Sequence, residues 1–339
     1  MPSEPSQATT GRDLKALPKG HLHLHLEAGM RSETLRELAD QMGVELPPTV
    51  GAFTGFTAFS ETYRGLLAVL REPENLERLF FEAAEDAAND GCVYLEAGVA
   101  PLFYVDTYGS PMAALDAMRG YAAAAGEKYG VAVGLMVTTD RQGPVSDAMV
   151  LAEIAAERAG QGVVSYGLAN DERDHPCRWF EEPFAIAKAA GLQSTPHAGE
   201  LVGPESVWEA IDVLKADRVL HGVTAVTDEQ LVAQLVEREI CLDICPTSNQ
   251  LLDVVEDLSQ HPIKVLLEAG VRCSINADDP ILFGPNILQE YELARHTIGL
   301  TDEQLAACAL SSIECTLAPE AVKTKARTDI DAWLASSPA

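Results

Sequence analysis

Pro18-Lys19-Gly20-His21-Leu22-His23-Leu24-His25-Leu26-Glu27-Ala28-Gly29 alternates histidine and leucine with a period of two. Successive side chains of an extended strand point to opposite faces, so His21, His23 and His25 share one face and Leu22, Leu24 and Leu26 the other. Solvated histidines have no need of an apolar residue between each pair. The neutral imidazole is the commonest metal ligand, and a His-x-His pair on a strand can grip an ion from one side. The stretch therefore reads as a first strand with a leucine back for the core and an imidazole front for a metal.

Working outward, Ser32 to Met42 has a helical pattern. The composition then turns to proline, glycine and aromatics from Pro47 to Phe56, and the next clear strand is Gly91 to Ala97. An insertion this long between core strands is uncommon and often functional, so residues 43–75 are expected to form a lid or pocket wall. Further strands are predicted at Val131–Thr138, Val163–Ala169, Gly191–His197, Arg218–Gly222, Ile240–Cys245 and Val271–Asn276. Between them lie helical patterns such as Met112–Tyr129, Asp147–Arg158, Pro204–Lys215, Thr227–Glu239 and Pro262–Gly270. Eight alternating strands and helices point to an α/β fold of the (β/α)₈ TIM-barrel type. An open doubly wound sheet would need a glycine-rich turn after the first strand, where only Ala28-Gly29 stands. Leu288–Thr297, Asp302–Cys315 and Pro319–Trp333 add helices at the C-terminus beyond what the barrel requires. No repeat or linker interrupts the chain, so residues 1–339 are expected to form a single domain, with 1–16 a flexible N-terminal tail.

The chain has 24 basic and 52 acidic residues, a formal net charge of −28. Such a charge repels nucleic-acid backbones and anionic membranes and suits a neutral or cationic small-molecule substrate. Met1 to Ala16 lacks the apolar core of a signal peptide, and no run approaches 18 apolar residues, so a soluble cytoplasmic protein is expected. Seven scattered cysteines fit buried thiols better than a disulfide frame. The oligomeric state is not legible.

In a (β/α)₈ barrel the chemistry gathers at the C-terminal ends of the strands. The first strand ends in His23 and His25, the fifth in His197, the sixth in His221, and the eighth runs into Asn276-Ala277-Asp278-Asp279-Pro280. Singly, each has a dull explanation as a core histidine or a helix cap; their joint placement does not. Three imidazoles with one carboxylate favour zinc, with iron, manganese or cobalt also able to fit. A bound ion brings water to a pKa of about 7, which makes hydrolysis the expected reaction. Glu200, His221 and Asp279 are left to move protons and hold substrate.

Taken in order, Leu17-Pro18-Lys19, His23-x-His25-Leu26-Glu27, His197-Ala198-Gly199-Glu200, His221-Gly222, Cys245-Pro246-x-Ser248 and Asn276-x-Asp278-Asp279-Pro280 resemble the adenosine deaminase family of the amidohydrolase superfamily. The resemblance implies one zinc held by His23, His25, His197 and Asp278. It implies Glu200 as the acid that protonates the purine ring, His221 as the group that orients and deprotonates the water, and Asp279 as a partner of the imidazole-ring nitrogen. Glu27 would bind a sugar hydroxyl. His21 has no role in that pattern; a His21/His23 ligand register is the lesser alternative.

Three positions depart from the family: Ala28 for a glycine, Gly98 for the arginine of a Glu-x-Arg motif, and Asn170 for a glycine whose backbone meets the purine. All lie toward the substrate. The resemblance thus implies a metal-dependent aminohydrolase converting adenosine to inosine and ammonia. Aminodeoxyfutalosine, adenine or another amino-heterocycle is the alternative substrate, and a non-catalytic metal-binding barrel the remaining possibility. His25-Leu26-Glu27 also mimics half of the cytosine-deaminase signature, but no Pro-Cys-x-x-Cys follows.

Overall fold

The computed structural model describes residues 11–46 and 56–338. The expected tail and pocket wall therefore lie partly outside the described residues, at 1–10 and 47–55. Eight parallel strands follow one another around a single sheet in chain order: β1 (Lys19–His25), β2 (Cys92–Val99), β3 (Ala132–Asp140), β4 (Val163–Ala169), β5 (Gln193–Ala198), β6 (Arg218–His221), β7 (Cys241–Ile244) and β8 (Arg272–Ile275). The predicted (β/α)₈ barrel is what the chain forms, and β4 matches its predicted span to the residue. β5 starts two residues later than predicted because Gly191, at φ +87°, ends the preceding helix.

The barrel closes just above β8. Asp278 N–H donates to the His23 carbonyl at 3.0 Å, and His25 N–H donates to the Asp278 carbonyl at 3.1 Å. Below this, Asn276 Oδ1 accepts from the backbone N–H groups of Leu22 and His23 at 2.7 and 3.1 Å. A side-chain amide thus does the work of a strand ladder on one turn of the seam.

The leucine back of β1 does what its pattern predicts. Leu22 packs with Tyr94, Ile313, Ala318 and Ala326 under the helices Asp302–Glu314 and Glu320–Ala335. Those two are the second and third of the expected C-terminal extras; the first is formed by Ile287–Leu293 and Ala294–Ile298. Two helices not singled out from the sequence complete the ring: Pro73–Asn89 and Glu181–Ala189. The first begins at Pro73, a residue suited to an opening turn, so the insertion is shorter than the expected 43–75. Within it, Phe56–Leu66 is helical.

The expected flexible tail needs a correction for its described part. At residues 11–16, Leu14 is buried, Arg12 is paired with Asp302 at 2.7 Å, and the Asp13 carbonyl accepts from Trp333 Nε1 at 2.7 Å. A buried leucine flanked by long-range hydrogen bonds ties this segment to the C-terminal helices.

Inside the barrel, beneath the histidines, lies a buried polar layer. Arg218 pairs with Glu96 and, at 2.6 Å, with Asp243; Ser165 donates to Glu96 and Ser274 to Asp243, at 2.6 and 2.7 Å. Buried charges persist only when paired and hydrogen-bonded, and these are both.

Candidate active site

His23, His25, His197 and Asp278 each aim one ligand atom at a common point. His197 Nε2 lies 3.0 Å from His23 Nε2 and 3.2 Å from His25 Nε2, and Asp278 Oδ1 lies 3.1 and 3.3 Å from the same two atoms of His23 and His25. Donors about 2.0–2.1 Å from a tetrahedral ion stand roughly 3.3 Å apart, so the spacing fits Zn²⁺. The proton inventory fits it too. His197 Nδ1 donates to the Leu168 carbonyl at 2.8 Å and His23 Nδ1 to the Asp243 carbonyl at 3.3 Å, which leaves bare lone pairs on both Nε2 atoms. Two lone pairs 3.0 Å apart repel unless a cation sits against them. His21 is differently used: its Nε2 accepts from the Ala277 N–H at 3.3 Å, outside the converging set.

Several of these groups sit on strained backbone at strand ends. His221 has φ +65°, Asp278 φ +60° and Asn170 φ +83°. Non-glycine residues in this region cost about 1–3 kcal/mol each and cluster at functional sites. In His197-Ala198-Gly199-Glu200 the glycine is obligatory, since at φ +66° a Cβ would collide with Val207 and Thr224.

Burial sorts the titratable groups. It pushes the Glu200 carboxyl well up, helped by the negative neighbours Asp278, Glu172 and Asp279, which favours its protonated form. Burial followed by Asp278 does the same to Asp279, whose Oδ1 is buried and has no hydrogen-bond partner among the described residues. For Asp278 burial opposes ionisation, but the imidazoles of His23, His25 and His221 around it outweigh burial and pull its carboxyl well below the usual range. Burial, then His23, pulls His221 down to about 3, so its ring is neutral. Its Nε2 stands 3.4 Å from Glu200 Oε1 and 3.8 Å from Asp278 Oδ2.

The pocket above these groups is walled by the insertion: Phe59 and Tyr63 line it, together with His25, Glu27, Gly98 and Asn170. Glu27 accepts from Tyr63 Oη at 2.8 Å and Tyr104 Oη at 2.9 Å, which occupies two of its lone pairs and leaves others for a ligand. Gly98 has little room for a side chain, because a Cβ would stand 3.1 Å from Met136 Cε and 3.2 Å from the Leu24 carbonyl. Asn170 spends its side chain on neighbours, donating to Asp140 Oδ1 at 3.0 Å and accepting from Asp171 N–H at 3.0 Å.

Sequence reasoning passed over the supports. Glu172 accepts from the N–H groups of Gly199, Glu200 and Leu201 at 2.8–3.0 Å and from Ser206 Oγ, and so holds the Glu200 turn. Arg141, buried, donates to the His197 carbonyl. Glu172 is two residues beyond Asn170, but nothing local in the sequence reveals a carboxylate that binds three amides 27–29 residues away.

Three comparisons bear on this geometry. The pattern that defines the family described as adenosine deaminase matches residues 18–333. A protein of Streptomyces virginiae described as a putative adenosine/adenine deaminase is 40% identical over 333 residues, spanning 95% of this chain and 98% of its own. Among solved structures, an adenine deaminase from Arthrobacter aurescens superposes with a TM-score of 0.87 at 27% identity, covering 94% of this chain and 99% of that one. An amidohydrolase from Burkholderia ambifaria with bound Zn does so at 0.84 and 25%, covering 98% and 97%.

Proposed function

The chain belongs to the adenosine deaminase family, and from that premise we propose that it is a Zn²⁺-dependent hydrolase that exchanges the 6-amino group of a purine nucleoside, adenosine in the first instance, for the oxygen of water. The observation that carries the proposal is the meeting of four ligand atoms, with contacts of 3.0–3.3 Å, on a floor overlooked by two buried carboxyl groups whose protonated forms burial favours. His23, His25, His197 and Asp278 would hold the ion, which when bound supplies a water acidic enough to act as a nucleophile near neutral pH.

The remaining residues act on the purine. Glu200, protonated, delivers its proton to the ring nitrogen beside C6, making that carbon electrophilic. Asp279, also protonated, donates to the imidazole-ring nitrogen, an acceptor that an ionised carboxylate would repel; this gives its buried Oδ1 a partner. His221, with Glu200 and Asp278 around its Nε2, orients the attacking water. Glu27, fixed by two tyrosines beside the pocket, is placed for a sugar hydroxyl. Water and the amine exchange, and inosine and ammonia leave. A non-catalytic barrel would have no use for an acid that burial keeps protonated at the ligand cluster.

The test is to add adenosine to the zinc-loaded full chain and follow loss of adenine absorbance and release of ammonia. Turnover of adenosine is the expected result. Ammonia from adenine or aminodeoxyfutalosine but not from adenosine would retain the chemistry and replace the substrate. No ammonia from any of the three would reject the proposal.

A further inference from the structure

Behind His221, on the side away from the pocket, three buried side chains form a hydrogen-bonded file that ends on the backbone. The N–H of Ile263, which opens the helix Ile263–Glu268, donates to His261 Nδ1 at 3.1 Å. His261 Nε2 lies 3.2 Å from Asn249 Oδ1, and Asn249 Nδ2 lies 3.1 Å from His221 Nδ1. His261, Asn249 and His221 are 2, 0 and 1% exposed, so water does not stand in for any of these contacts.

The direction of every bond follows from one fact: a backbone N–H only donates. His261 Nδ1 therefore accepts, and the neutral ring carries its single proton on Nε2. Burial lowers His261 to about 4, which keeps that ring neutral. An Nε2–H facing Asn249 requires the amide oxygen there; turned over, the amide would oppose NH₂ to N–H at 3.2 Å. Asn249 consequently presents Nδ2 to His221. That group also only donates, so His221 Nδ1 accepts and the ring proton sits on Nε2, toward Glu200 and Asp278.

We propose that Asn249 and His261 are positioning residues that lock His221 in its Nε2–H tautomer, so that His221 serves the reaction as a hydrogen-bond donor and not as the base that takes the proton of the attacking water. To act as that base, Nε2 would have to be bare, and Nδ1–H would then face the Asn249 NH₂. The proposal rests on the deaminase reading for its consequence in catalysis, and the proton balance closes without a histidine base. Glu200 gives its proton to the ring nitrogen and becomes a carboxylate, with the His221 Nε2–H donating to its Oε1. It then takes one proton of the attacking water and passes it to the departing amine as the carbon–nitrogen bond breaks, and the remaining hydroxyl proton moves to Glu200 as the C6 carbonyl forms. The ring nitrogen keeps the proton Glu200 first gave, one water hydrogen leaves in ammonia, the other reprotonates Glu200, and the oxygen stays on C6. Its carboxylate oxygen is within 4.8 Å of the His221 and Asp278 ligand atoms, inside reach of both partners through one water.

Histidine ring ¹⁵N shifts report directly which nitrogen carries the proton. Zinc-loaded full chain labelled with ¹⁵N-histidine should show His221 and His261 both protonated on Nε2, the signals being assigned by their loss in His221→Gln and His261→Gln. A His221 proton on Nδ1 overturns the proposal. Asn249→Asp sets an acceptor against Nδ1 and should move the proton there, lowering kcat by about 10²-fold, as loss of one preorganised donor does, with KM within about twofold. A moved proton with undiminished kcat would overturn the donor role. Should that variant not fold, His261→Phe frees the Asn249 amide to turn and should give His221 a mixture of tautomers; His221 remaining wholly on Nε2 would overturn the part assigned to His261. The shifts need no substrate, so expected tautomers in a chain that deaminates nothing would sink the proposed function and leave the lock standing.

Discussion

Glu200, Asp278 and Asp279 are three carboxyl groups within one small volume, and the fold gives them opposite charge states. Asp278 stands among imidazoles, which favour its ionised form; Glu200 and Asp279 face burial and like charge, which favour their protonated forms. One group can then hold a cation while the others donate protons. Glu200→Gln keeps the shape and removes the transferable proton, so kcat is expected to fall by about 10²–10⁴-fold, with zinc content by elemental analysis unchanged. His197→Ala removes the ligand that lies within 3.0–3.2 Å of two others. Its expected signature is the opposite order of events: zinc lost from the purified protein, and activity lost with it. Zinc retained at one ion per chain in His197→Ala would contradict the ligand set. At this scale the departures from the family also find physical reasons. Gly98 stands close to the Leu24 carbonyl and Met136, so a side chain there would start from a tight position, and Asn170 tolerates a positive φ by bonding to its own neighbours.

Each functional side chain is held by an element whose own ends are tied down. The Gly199–Leu201 turn points its N–H groups at Glu172, and the β1 end is stitched to Asp278 through two backbone bonds. The short helix Pro246–Leu251, which carries Asn249, has at its N-terminus a different device. Glu290 of the helix Ile287–Leu293 accepts from the Thr247 N–H at 3.3 Å, and burial raises its carboxyl from 4.5 to about 8. A carboxyl raised in the folded state binds more protons folded than unfolded. Its stabilising effect is therefore complete below about pH 4.5 and is lost as pH rises through about 8. Glu290→Gln keeps an acceptor for Thr247 and removes the titration. Its denaturant midpoint relative to the parent is expected to rise steadily between pH 5 and pH 9; a difference constant across that range would contradict a raised Glu290.

The whole barrel stacks a charged layer under the cluster of His23, His25, His197 and Asp278. Arg218 of β6 ties Glu96 of β2 to Asp243 of β7 across the interior, and Asp243 also meets the ring of His23 through its backbone carbonyl. The layer joins strands on opposite sides of the barrel and connects the floor of the site to His23. Arg218→Met would leave two buried carboxylates without their cation, and a loss of about 3–5 kcal/mol in unfolding free energy is expected. Urea or thermal unfolding would read it, and a neutral result would mean that the carboxylates take up protons at no cost.

Local pattern was enough for the strands, most of the helices and the set of groups at the strand ends. Alternation in β1 is a property of neighbouring residues, and eight strand-to-helix alternations bring eight strand ends to one rim whatever the loops do. The amino-acid order alone therefore placed His23, His25, His197, His221, Glu200, Asp278 and Asp279 at the same end of one barrel. It did not contain the second layer. Glu172 reaches three amides of a distant turn, Asn249 and His261 decide a proton on His221, and Arg218 bridges two strands that are not neighbours in the sheet. Those contacts depend on separations of about 3 Å between residues far apart in the chain, where side-chain direction and burial decide hydrogen bonding and charge. Only the closed barrel supplies them, because only there are the groups dry enough for each proton to have one allowed place.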